Sequence, residues 1–405
     1  MDFSQRVNQV PDSITLKLNA KAVKLSEEGR HIYNLTAGQL PFKPHQNFIE
    51  KMHAELNFLK SFQYTPAAGI KELRDKFINY FKETRKVDLD DSYDCIISNG
   101  GKHSIFNALG TIINPGDEVI LLAPYWISYP EMVKLWGGTP VVVKSQVYDG
   151  YTPSIQHIKK AITKKTKAVI INSPNNPSGV HYPDRWMKDF AEMIVKFPNV
   201  FILSDEIYFE LSYYDPKPTY FYQHDSSLLE RTLVFDGISK SFASTGLRIG
   251  YCIAKKELVS LYSKLQAQTS SGANSLVQRG LLSYSFDDVK GFVDPINQKL
   301  RKNSDILRSK FEEYKTTNSW YQTSSAFYYL VDLTQMPVYK KYLDQFGQGD
   351  HAAKICEDIL ENIGIAIVPG TDFGIPNSAR ISFVLEEVPF TEALNRLMKF
   401  FSTTE

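Results

Sequence analysis

Along most of this chain, short apolar runs alternate with longer amphipathic stretches. Short runs rich in β-branched residues predict strands, whereas apolar positions recurring every three or four residues predict helices. The predicted strands are residues 95–98, 118–122, 140–143, 168–171, 200–203, 232–235 and 248–253. Helices are predicted over 71–82 and 103–113. This alternation predicts an α/β fold, with a mostly parallel central sheet flanked by helices.

The first helix is predicted over residues 14–28, where apolar side chains form one stripe. Ser13 is placed to cap its N-terminus, and Gly29 follows the last apolar position. Hydroxyl residues at the start and glycine at the end are typical helix boundaries.

The rhythm changes near residue 290. A long helix is predicted over 295–314, followed by strand-like segments at 327–333, 365–368 and 380–384 and a last helix at 391–401. This order is typical of a second, smaller α+β domain. We therefore predict a large domain over 46–290 and a small C-terminal domain over 291–405, with the N-terminal segment 1–45 belonging to the small domain.

Composition narrows the function classes. A net charge of +1 in 405 residues gives no electrostatic footprint for nucleic acid or an anionic membrane. No apolar stretch approaches the roughly 18 residues that span a bilayer, and the N-terminus lacks the apolar core of a signal peptide. The three cysteines have no metal or redox spacing, so we expect free thiols, no metal site and a cytoplasmic location.

Polar residues at three predicted strand ends carry the candidate chemistry. Lys240 follows one strand, with Arg248 eight residues later. Asp205 and Tyr208 follow a second strand, and Asn176 follows a third. Pyridoxal phosphate requires an amine for its carbonyl, a carboxylate for its ring nitrogen, donors for its ring oxygen and a cation for its phosphate. The five residues supply that set.

Two neighbouring carboxylates, Asp205 and Glu206, follow the same strand. Successive strand residues point to opposite faces, so one site can use only one of them. Asp205 leaves the apolar run first and is the better candidate. A buried carboxylate at this place favours a protonated ring nitrogen.

The segment Asn99-Gly100-Gly101-Lys102 joins a predicted strand to a helix. Backbone N–H groups at a helix N-terminus bind anions, so this turn is a candidate phosphate site. The spacings of a P-loop and of a nicotinamide fingerprint are absent from the sequence. Trp126 follows another strand and is placed either to stack on a flat ring or to pack in the core.

Together these motifs resemble the class I aminotransferases of fold type I, in the bacterial aspartate aminotransferase subgroup. The similarity runs from about Pro11 to the C-terminus. Its most specific segments are Tyr64-Thr65-Pro66-Ala67-Ala68-Gly69-Ile70, Gly100-Gly101-Lys102, Pro115-Gly116-Asp117-Glu118-Val119, Pro124-Tyr125-Trp126-Ile127-Ser128-Tyr129-Pro130, Ser173-Pro174-Asn175-Asn176-Pro177-Ser178-Gly179, Ser204-Asp205-Glu206-Ile207-Tyr208, Ser239-Lys240-Ser241-Phe242 and Gly246-Leu247-Arg248-Ile249-Gly250-Tyr251.

The resemblance implies pyridoxal 5'-phosphate as the cofactor and assigns catalytic roles to three residues. Lys240 would bind the cofactor covalently and then transfer protons, Asp205 would pair with the ring nitrogen, and Tyr208 would donate to the ring oxygen. The implied cofactor-binding set is Tyr64, Gly101, Lys102, Trp126, Asn176, Asp205, Tyr208, Ser239, Lys240 and Arg248. Tyr64 would come from the neighbouring subunit, which implies a homodimer with shared active sites.

The resemblance also implies how the substrate binds. Arg380 would hold the α-carboxylate, since a bidentate arginine suits a planar carboxylate. Lys102 would meet the side-chain carboxylate of an acidic substrate, helped by hydroxyls from the N-terminal helix. The implied substrate-binding set is Ser13, Thr15, Gly38, Lys102, Trp126, Asn176 and Arg380.

The expected function is ping-pong transfer of an amino group from L-aspartate to 2-oxoglutarate. An aromatic amino acid or prephenate aminotransferase is the main alternative, and a pyridoxal-phosphate-dependent β-lyase would share the cofactor site. The effector domain of a pyridoxal-phosphate-binding transcription regulator needs an N-terminal winged helix, whereas the aminotransferase pattern here starts by about residue 11.

Three segments depart from the family pattern. Thr36-Ala37-Gly38-Gln39-Leu40-Pro41 stands where the family usually has Thr-Ala-Gly-Glu-Pro, Ser324-Ser325-Ala326-Phe327-Tyr328 lacks the glycine that commonly precedes the alanine, and Gly374-Ile375-Pro376-Asn377-Ser378 is unusual. All three are expected near the substrate side or the small-domain hinge. They bear on specificity more than on the cofactor chemistry.

Overall fold

The computed structural model describes residues 4–11 and 14–403, except for the side chains of residues 14–16. The helices are α1 (Gln5–Asn8), α2 (Ile14–Glu27), α3 (Gln46–Glu55), α4 (Lys71–Arg85), α5 (Gly101–Ile112), α6 (Ser128–Leu135), α7 (Ile155–Ala161), α8 (Asp184–Ile194), α9 (Phe221–His224), α10 (Ile238–Ser241), α11 (Lys256–Thr269), α12 (Ser275–Ser283), α13 (Asp288–Glu313), α14 (Tyr339–Phe346), α15 (Ala352–Ile363) and α16 (Glu387–Phe401). The strands are β1 (Tyr33–Asn34), β2 (Tyr93–Ser98), β3 (Glu118–Leu122), β4 (Thr139–Val143), β5 (Thr166–Asn172), β6 (Phe201–Asp205), β7 (Thr232–Gly237), β8 (Gly250–Lys255), β9 (Tyr328–Asp332), β10 (Ile365–Ala366), β11 (Val368–Pro369) and β12 (Ser378–Ser382).

A central sheet of seven strands has the order β2-β8-β7-β6-β5-β3-β4. Strand β8 runs antiparallel to both of its neighbours, and the other pairs are parallel. Helices α5, α6 and α11 cover one face, and α4, α8 and α12 cover the other. Both faces of the inner strands are buried, so these strands are mostly apolar, which is why short apolar runs revealed them.

Two smaller sheets lie outside the central one. Strands β11, β12 and β9 form an antiparallel sheet, and β1 pairs in parallel with β10. The pairing of β1 with β10 joins the N-terminal segment to the C-terminal part of the chain. The predicted division of the chain into domains remains a prediction.

Several element boundaries differ from those predicted. Helix α13 begins at Asp288 and continues through Pro295, because the buried stripe of Val289, Val293 and Ile296 extends across the proline. The predicted strand 365–368 is two short strands, β10 and β11, which pair in different sheets. The predicted strand 248–253 begins only at Gly250.

The N-terminal helix α2 ends as predicted near Gly29, which has a φ of 87°. Ser13, its predicted cap, lies outside the described residues. The three cysteines are buried and unpaired, as the sequence predicted.

Within residues 4–11 and 14–403, the helices are too short or too polar to cross a membrane. The same residues contain no group of three or more histidine, cysteine, aspartate or glutamate side chains that could hold a metal ion.

Candidate active site

A cavity of about 260 Å³ opens at the carboxyl ends of the parallel strands of the central sheet. Strands β3, β5, β6 and β7 all end there, and helix α5 begins there. The predicted site residues that line it are Gly38, Gly101, Lys102, Trp126, Asn176, Asp205, Tyr208, Ser239, Lys240, Arg248 and Arg380. The lining also includes Ile105, Asn172, Ile207, Thr245 and Tyr328, which the sequence did not single out.

Three predicted residues are not among those lining the cavity. Tyr64 is 96% exposed on the surface of this chain. Ser13 lies outside the described residues, and only the backbone of Thr15 is described, within α2.

Lys240 lies on the short helix α10, immediately after β7. Its Nζ donates a hydrogen bond of 2.5 Å to the backbone carbonyl of Gly38. Burial, and then the positive charges of Arg380 and Arg248, lower the pKa of Lys240 to about 8, although the negative charge of Asp205 acts in the opposite direction. The amine therefore loses its proton much closer to neutral pH than an ordinary lysine does.

Asp205 is the last residue of β6 and faces the cavity. Tyr129, on α6, donates to its Oδ2 at 2.5 Å, and the backbone N–H of Ile207 donates to its Oδ1 at 3.3 Å. Burial raises the pKa of Asp205 to about 6, against the opposing effect of these two donors and of Lys240. The carboxylate is fixed in place but carries no direct ion pair in the described part of the chain.

Tyr208 contacts a second tyrosine in the cavity wall. The hydroxyls of Tyr208 and Tyr328 are 3.1 Å apart, and the two rings meet edge to face. Burial raises the pKa of Tyr208 well above its usual value, so this hydroxyl keeps its proton and remains a donor.

Arg380, on β12, has a buried guanidinium whose hydrogen bonds go to neutral acceptors. Its Nη1 donates to Oδ1 of Asn176 at 3.0 Å and its Nη2 to the carbonyl of Thr36 at 2.8 Å. Its Nε is buried and has no partner in the described part of the chain. Burial lowers the pKa of Arg380. A guanidinium left in this state favours an anionic ligand.

A second cationic region surrounds the N-terminus of α5. Gly100 precedes the helix with a φ of 88°, and a Cβ there would lie 2.6 Å from Nη2 of Arg248. The positive φ favours glycine at this position, and a Cβ would also require the Arg248 guanidinium to move. Lys102 lies 4.9 Å from the centre of the Trp126 ring, and burial, followed by the charge of Arg248, lowers its pKa.

Charge is unbalanced in this cavity. Among the described residues that line it, Lys102, Lys240, Arg248 and Arg380 are basic, whereas Asp205 is the one acid. The helix N-terminus adds free N–H groups and a positive dipole end. The cavity is therefore suited to ligands that carry more than one anionic group.

Comparisons with known proteins agree with this geometry. The family model described as aminotransferase class I and II matches residues 30–397. The chain belongs to this family. It is 32% identical to an aspartate/prephenate aminotransferase of Thermus thermophilus, over 98% of each chain, and 31% identical to an aspartate aminotransferase of Bacillus subtilis, over 99% of each. A solved structure of Thermus thermophilus aspartate aminotransferase with maleate superposes with a TM-score of 0.88 at 32% identity, covering 99% of this chain and 100% of that one.

These findings confirm the predicted family resemblance and the predicted fold type I architecture of this aminotransferase. The roles of its individual residues remain predictions.

The departures from the family pattern occupy defined places in this aminotransferase. Gln39 accepts a hydrogen bond of 3.0 Å from Thr245, at the edge of the cavity. Ser325 is buried, with its hydroxyl 2.9 Å from Nδ1 of His181. Asn377 has a φ of 54°, and its side-chain Oδ1 accepts a hydrogen bond from the backbone N–H of His351. The first therefore adjoins the cavity through Thr245, whereas Ser325 and Asn377 make contacts outside its lining.

The sequence did not indicate a role for Tyr328, although this residue belongs to one of the three segments that depart from the family pattern. In the antiparallel pair of β9 and β12, Arg380 lies opposite Leu330, so Tyr328 lies two residues away on the same face. The centre of its ring is 4.6 Å from the Arg380 guanidinium. Strand alternation was a signal for this side chain, but its use required the register between two strands far apart in sequence.

Proposed function

We propose that this aminotransferase transfers the amino group of L-aspartate to 2-oxoglutarate, with pyridoxal 5'-phosphate as its cofactor. The observation that supports this most strongly is the excess of basic groups in the cavity. A phosphate and two substrate carboxylates would balance it, at the α5 N-terminus, at Arg380 and at Lys102.

The donor set fits pyridoxal phosphate. The backbone N–H groups of Gly101 and Lys102 would hold the phosphate together with the Arg248 guanidinium, and Ser239 would bind beside them. The Arg248 guanidinium packs directly against Gly100, at the position that a Cβ would occupy. This contact places the guanidinium beside the helix N-terminus and supports the assignment.

Trp126, which lines the cavity, would pack against the ring of the cofactor. Asp205 would pair with the ring nitrogen, while Tyr208 and Asn176 would donate to the ring oxygen. When bound, pyridoxal phosphate supplies an electron-accepting ring that stabilises the substrate after loss of its α-proton.

Lys240 would hold the cofactor covalently and act as the proton carrier. Its pKa of about 8 keeps a useful fraction of the free amine unprotonated near neutral pH, as a general base requires. Arg380 would bind the α-carboxylate of the substrate, with Asn176 and the backbone of Gly38 beside it. Each arriving substrate would thus have its α-carbon close to the Lys240 amine.

Lys102 would determine the preference for an acidic substrate, with Ser13 and Thr15 assisting from the N-terminal helix. Its ammonium lies 4.9 Å from the centre of the Trp126 ring, and the described part of the chain shows no ion pair between it and a carboxylate that lines the cavity. The names of the relatives, which include aspartate aminotransferases, favour the same substrate class.

An aromatic amino acid or prephenate aminotransferase is the second candidate. The apolar surfaces of Ile105, Trp126, Ile207 and Tyr328 in the cavity wall favour a ring-bearing substrate. One relative carries aspartate and prephenate together in its name.

The deciding experiment is a spectral titration of the protein loaded with pyridoxal phosphate. Under the aspartate proposal, micromolar to millimolar L-aspartate converts the yellow band to the pyridoxamine form, whereas L-phenylalanine requires far higher concentrations. The Lys102→Gln variant should lose affinity for aspartate about 10- to 100-fold, as expected for one charge-assisted contact of about 1.5–3 kcal/mol, and keep its affinity for phenylalanine. Equal losses for both substrates would refute the role given to Lys102, and conversion by phenylalanine alone would favour the second candidate.

We further propose a homodimer in which Tyr64 of the partner subunit completes each phosphate site. Tyr64 is exposed beside Leu59 and Phe62, two further large apolar side chains that face solvent in the single chain. Contiguous exposed apolar residues are typical of protein interfaces.

Subunit mixing tests the shared site. Lys240→Ala and Tyr64→Ala chains, each impaired alone, are refolded together. Hybrid dimers would contain one site with both native residues, so activity should return to as much as about one quarter of that of the native dimer on statistical mixing. No recovery, with mixed dimers shown to be present, would contradict the shared site.

We also propose a cytoplasmic location, because three buried free thiols fit a reducing compartment. Fractionation of the source cells tests this.

A further inference from the structure

Arg85, the last residue of α4, lies on the face of the central sheet that α4 covers, is 1% exposed and does not line the cavity. Its Nε donates to Oε2 of Glu206 and its Nη2 to Oδ2 of Asp236, each at 2.9 Å. The guanidinium therefore joins two buried carboxylates on neighbouring strand ends. Nothing in the proposed reaction uses these three charges directly.

Both carboxylates adjoin functional residues in the chain. Glu206 directly follows Asp205, and its backbone N–H donates to the carbonyl of Phe235 at 2.9 Å. Asp236 accepts the backbone N–H of Gly237 at 2.7 Å, immediately before helix α10. That helix carries Lys240. A movement of the Glu206 side chain would therefore shift the backbone next to Asp205, and a movement of the Asp236 carboxylate would shift Gly237, the residue from which α10 starts.

The geometry points to Arg85 as a positioning residue that fixes Asp205 and Lys240 relative to each other from outside the cavity. This inference rests on the proposed function, in which Asp205 and Lys240 act on the same cofactor.

The planar fork of arginine is what this place requires. The guanidinium carbon lies 3.4 Å from the centre of the Phe209 ring, so the group is held flat. Tyr222 and Ser204 donate to the other oxygen of Glu206, at 2.9 and 2.8 Å. A lysine could pair with one carboxylate as a point charge, but it could not span both in fixed directions.

The test compares Arg85→Lys with Arg74→Lys. Arg74 is on the same helix and pairs with Asp94, on β2. Both substitutions retain the charge and remove a planar guanidinium, but the Arg74 pair joins α4 to β2, whereas the Arg85 pairs join α4 to β7 and to the residue after β6. Thermal unfolding, affinity for pyridoxal phosphate, kcat and KM are measured for the native protein and both variants.

Both variants are expected to unfold at a lower temperature. Only Arg85→Lys should also bind pyridoxal phosphate at least tenfold more weakly, shift its visible absorption maximum and lose about 10- to 100-fold in kcat, as expected for a displaced catalytic group. Its KM for the amino donor should stay near the native value, because Arg380 is unchanged.

If Arg85→Lys and Arg74→Lys change affinity, spectrum and kcat equally, the positioning role is overturned. If Arg85→Lys does not fold, Glu206→Gln, which preserves the shape of the side chain, is compared with Asp94→Asn by the same criteria. Failure of the native protein to bind pyridoxal phosphate would overturn the proposed function itself, and is recognised before any variant is compared.

Discussion

Asp205 and Glu206 are both buried and are neighbours in sequence, yet they belong to two opposite kinds of charge cluster. Asp205 faces a cavity with four basic residues among its described lining. Glu206 is fully buried and does not line the cavity, and Arg85 joins it to Asp236. One cluster has surplus cations and is open, whereas the other is closed and its groups contact one another.

The difference shows how a ligand site can be distinguished from an internal ion-pair network. Burying charges costs free energy unless they are paired. In the cluster of Arg85, Glu206 and Asp236, the charged side chains pair with one another. In the cavity, Lys240, Arg248 and Arg380 donate hydrogen bonds to neutral carbonyl and amide oxygens, so an anionic ligand would provide their counter-charges.

The strongest way to break this comparison is Lys240→Ala. The variant should fold, since the side chain lines an open cavity, but turnover should fall by at least about 10³-fold because the proton carrier is lost. Steady-state kinetics and circular dichroism check the two expectations. A variant that retained activity would refute the mechanism.

Arg85→Met should have the converse effect, on stability. Removing one partner from a buried ion-pair cluster costs about 3–5 kcal/mol, because Glu206 and Asp236 would be left uncompensated. Urea denaturation of the cofactor-free protein measures the loss. If the free energy of unfolding falls by less than about 1 kcal/mol, the cluster contributes no more than an exposed ion pair does. Its contrast with the cavity would then be lost.

The pH dependence of the unfolding free energy tests whether Lys240, in the cavity, is an unpaired buried charge. The pKa of Lys240 in the folded protein is about 8, below its ordinary value of 10.5, so folding disfavours the charged form. This destabilisation is fully present below pH 8 and disappears as the pH rises towards 10.5.

Cofactor-free Lys240→Met should therefore be more stable than the native protein at pH 7, by roughly 3 kcal/mol, and should lose that advantage by about pH 10.5. The difference in unfolding free energy between the two proteins, measured across this range, isolates Lys240 from other titrating groups. A difference that does not vary with pH would show that the amine is not perturbed.

Tyr328→Phe should have the smallest effect. It removes the hydroxyl 3.1 Å from that of Tyr208 but keeps the ring next to Arg380. Loss of one neutral hydrogen bond of about 1 kcal/mol predicts a fall of about fivefold in kcat/KM. A loss as large as that of Lys240→Ala would assign Tyr328 a direct part in catalysis.

Much of the central sheet could be predicted because both of its faces are buried, so that its strands are apolar runs. The predicted strand boundaries were wrong where the local sequence pattern and the pairing of strands in the folded protein disagree. Residues 365–368 are one apolar run, but they divide between two sheets, and sequence alone does not indicate this.

The candidate site was predictable where its residues directly follow strands, as Asp205 and Lys240 do. Tyr129 and Tyr328 were not assigned roles, because they reach the site through a helix and through the register of a distant strand pair. Arg85 was also missed, since nothing in the sequence pairs the end of α4 with the residue after β6.

The segment from Tyr33 to Gly38 has a consequence for how this enzyme can be observed. At one end it pairs with β10, and the backbone N–H of Leu35 donates to the carbonyl of Ala366. At the other end, the carbonyls of Thr36 and Gly38 accept hydrogen bonds from Arg380 and Lys240. Ligands that engage these two side chains compete with those carbonyls, so hydrogen–deuterium exchange at the Leu35 amide should change on binding, which would provide a label-free signal of occupancy even for compounds that leave the visible spectrum unchanged.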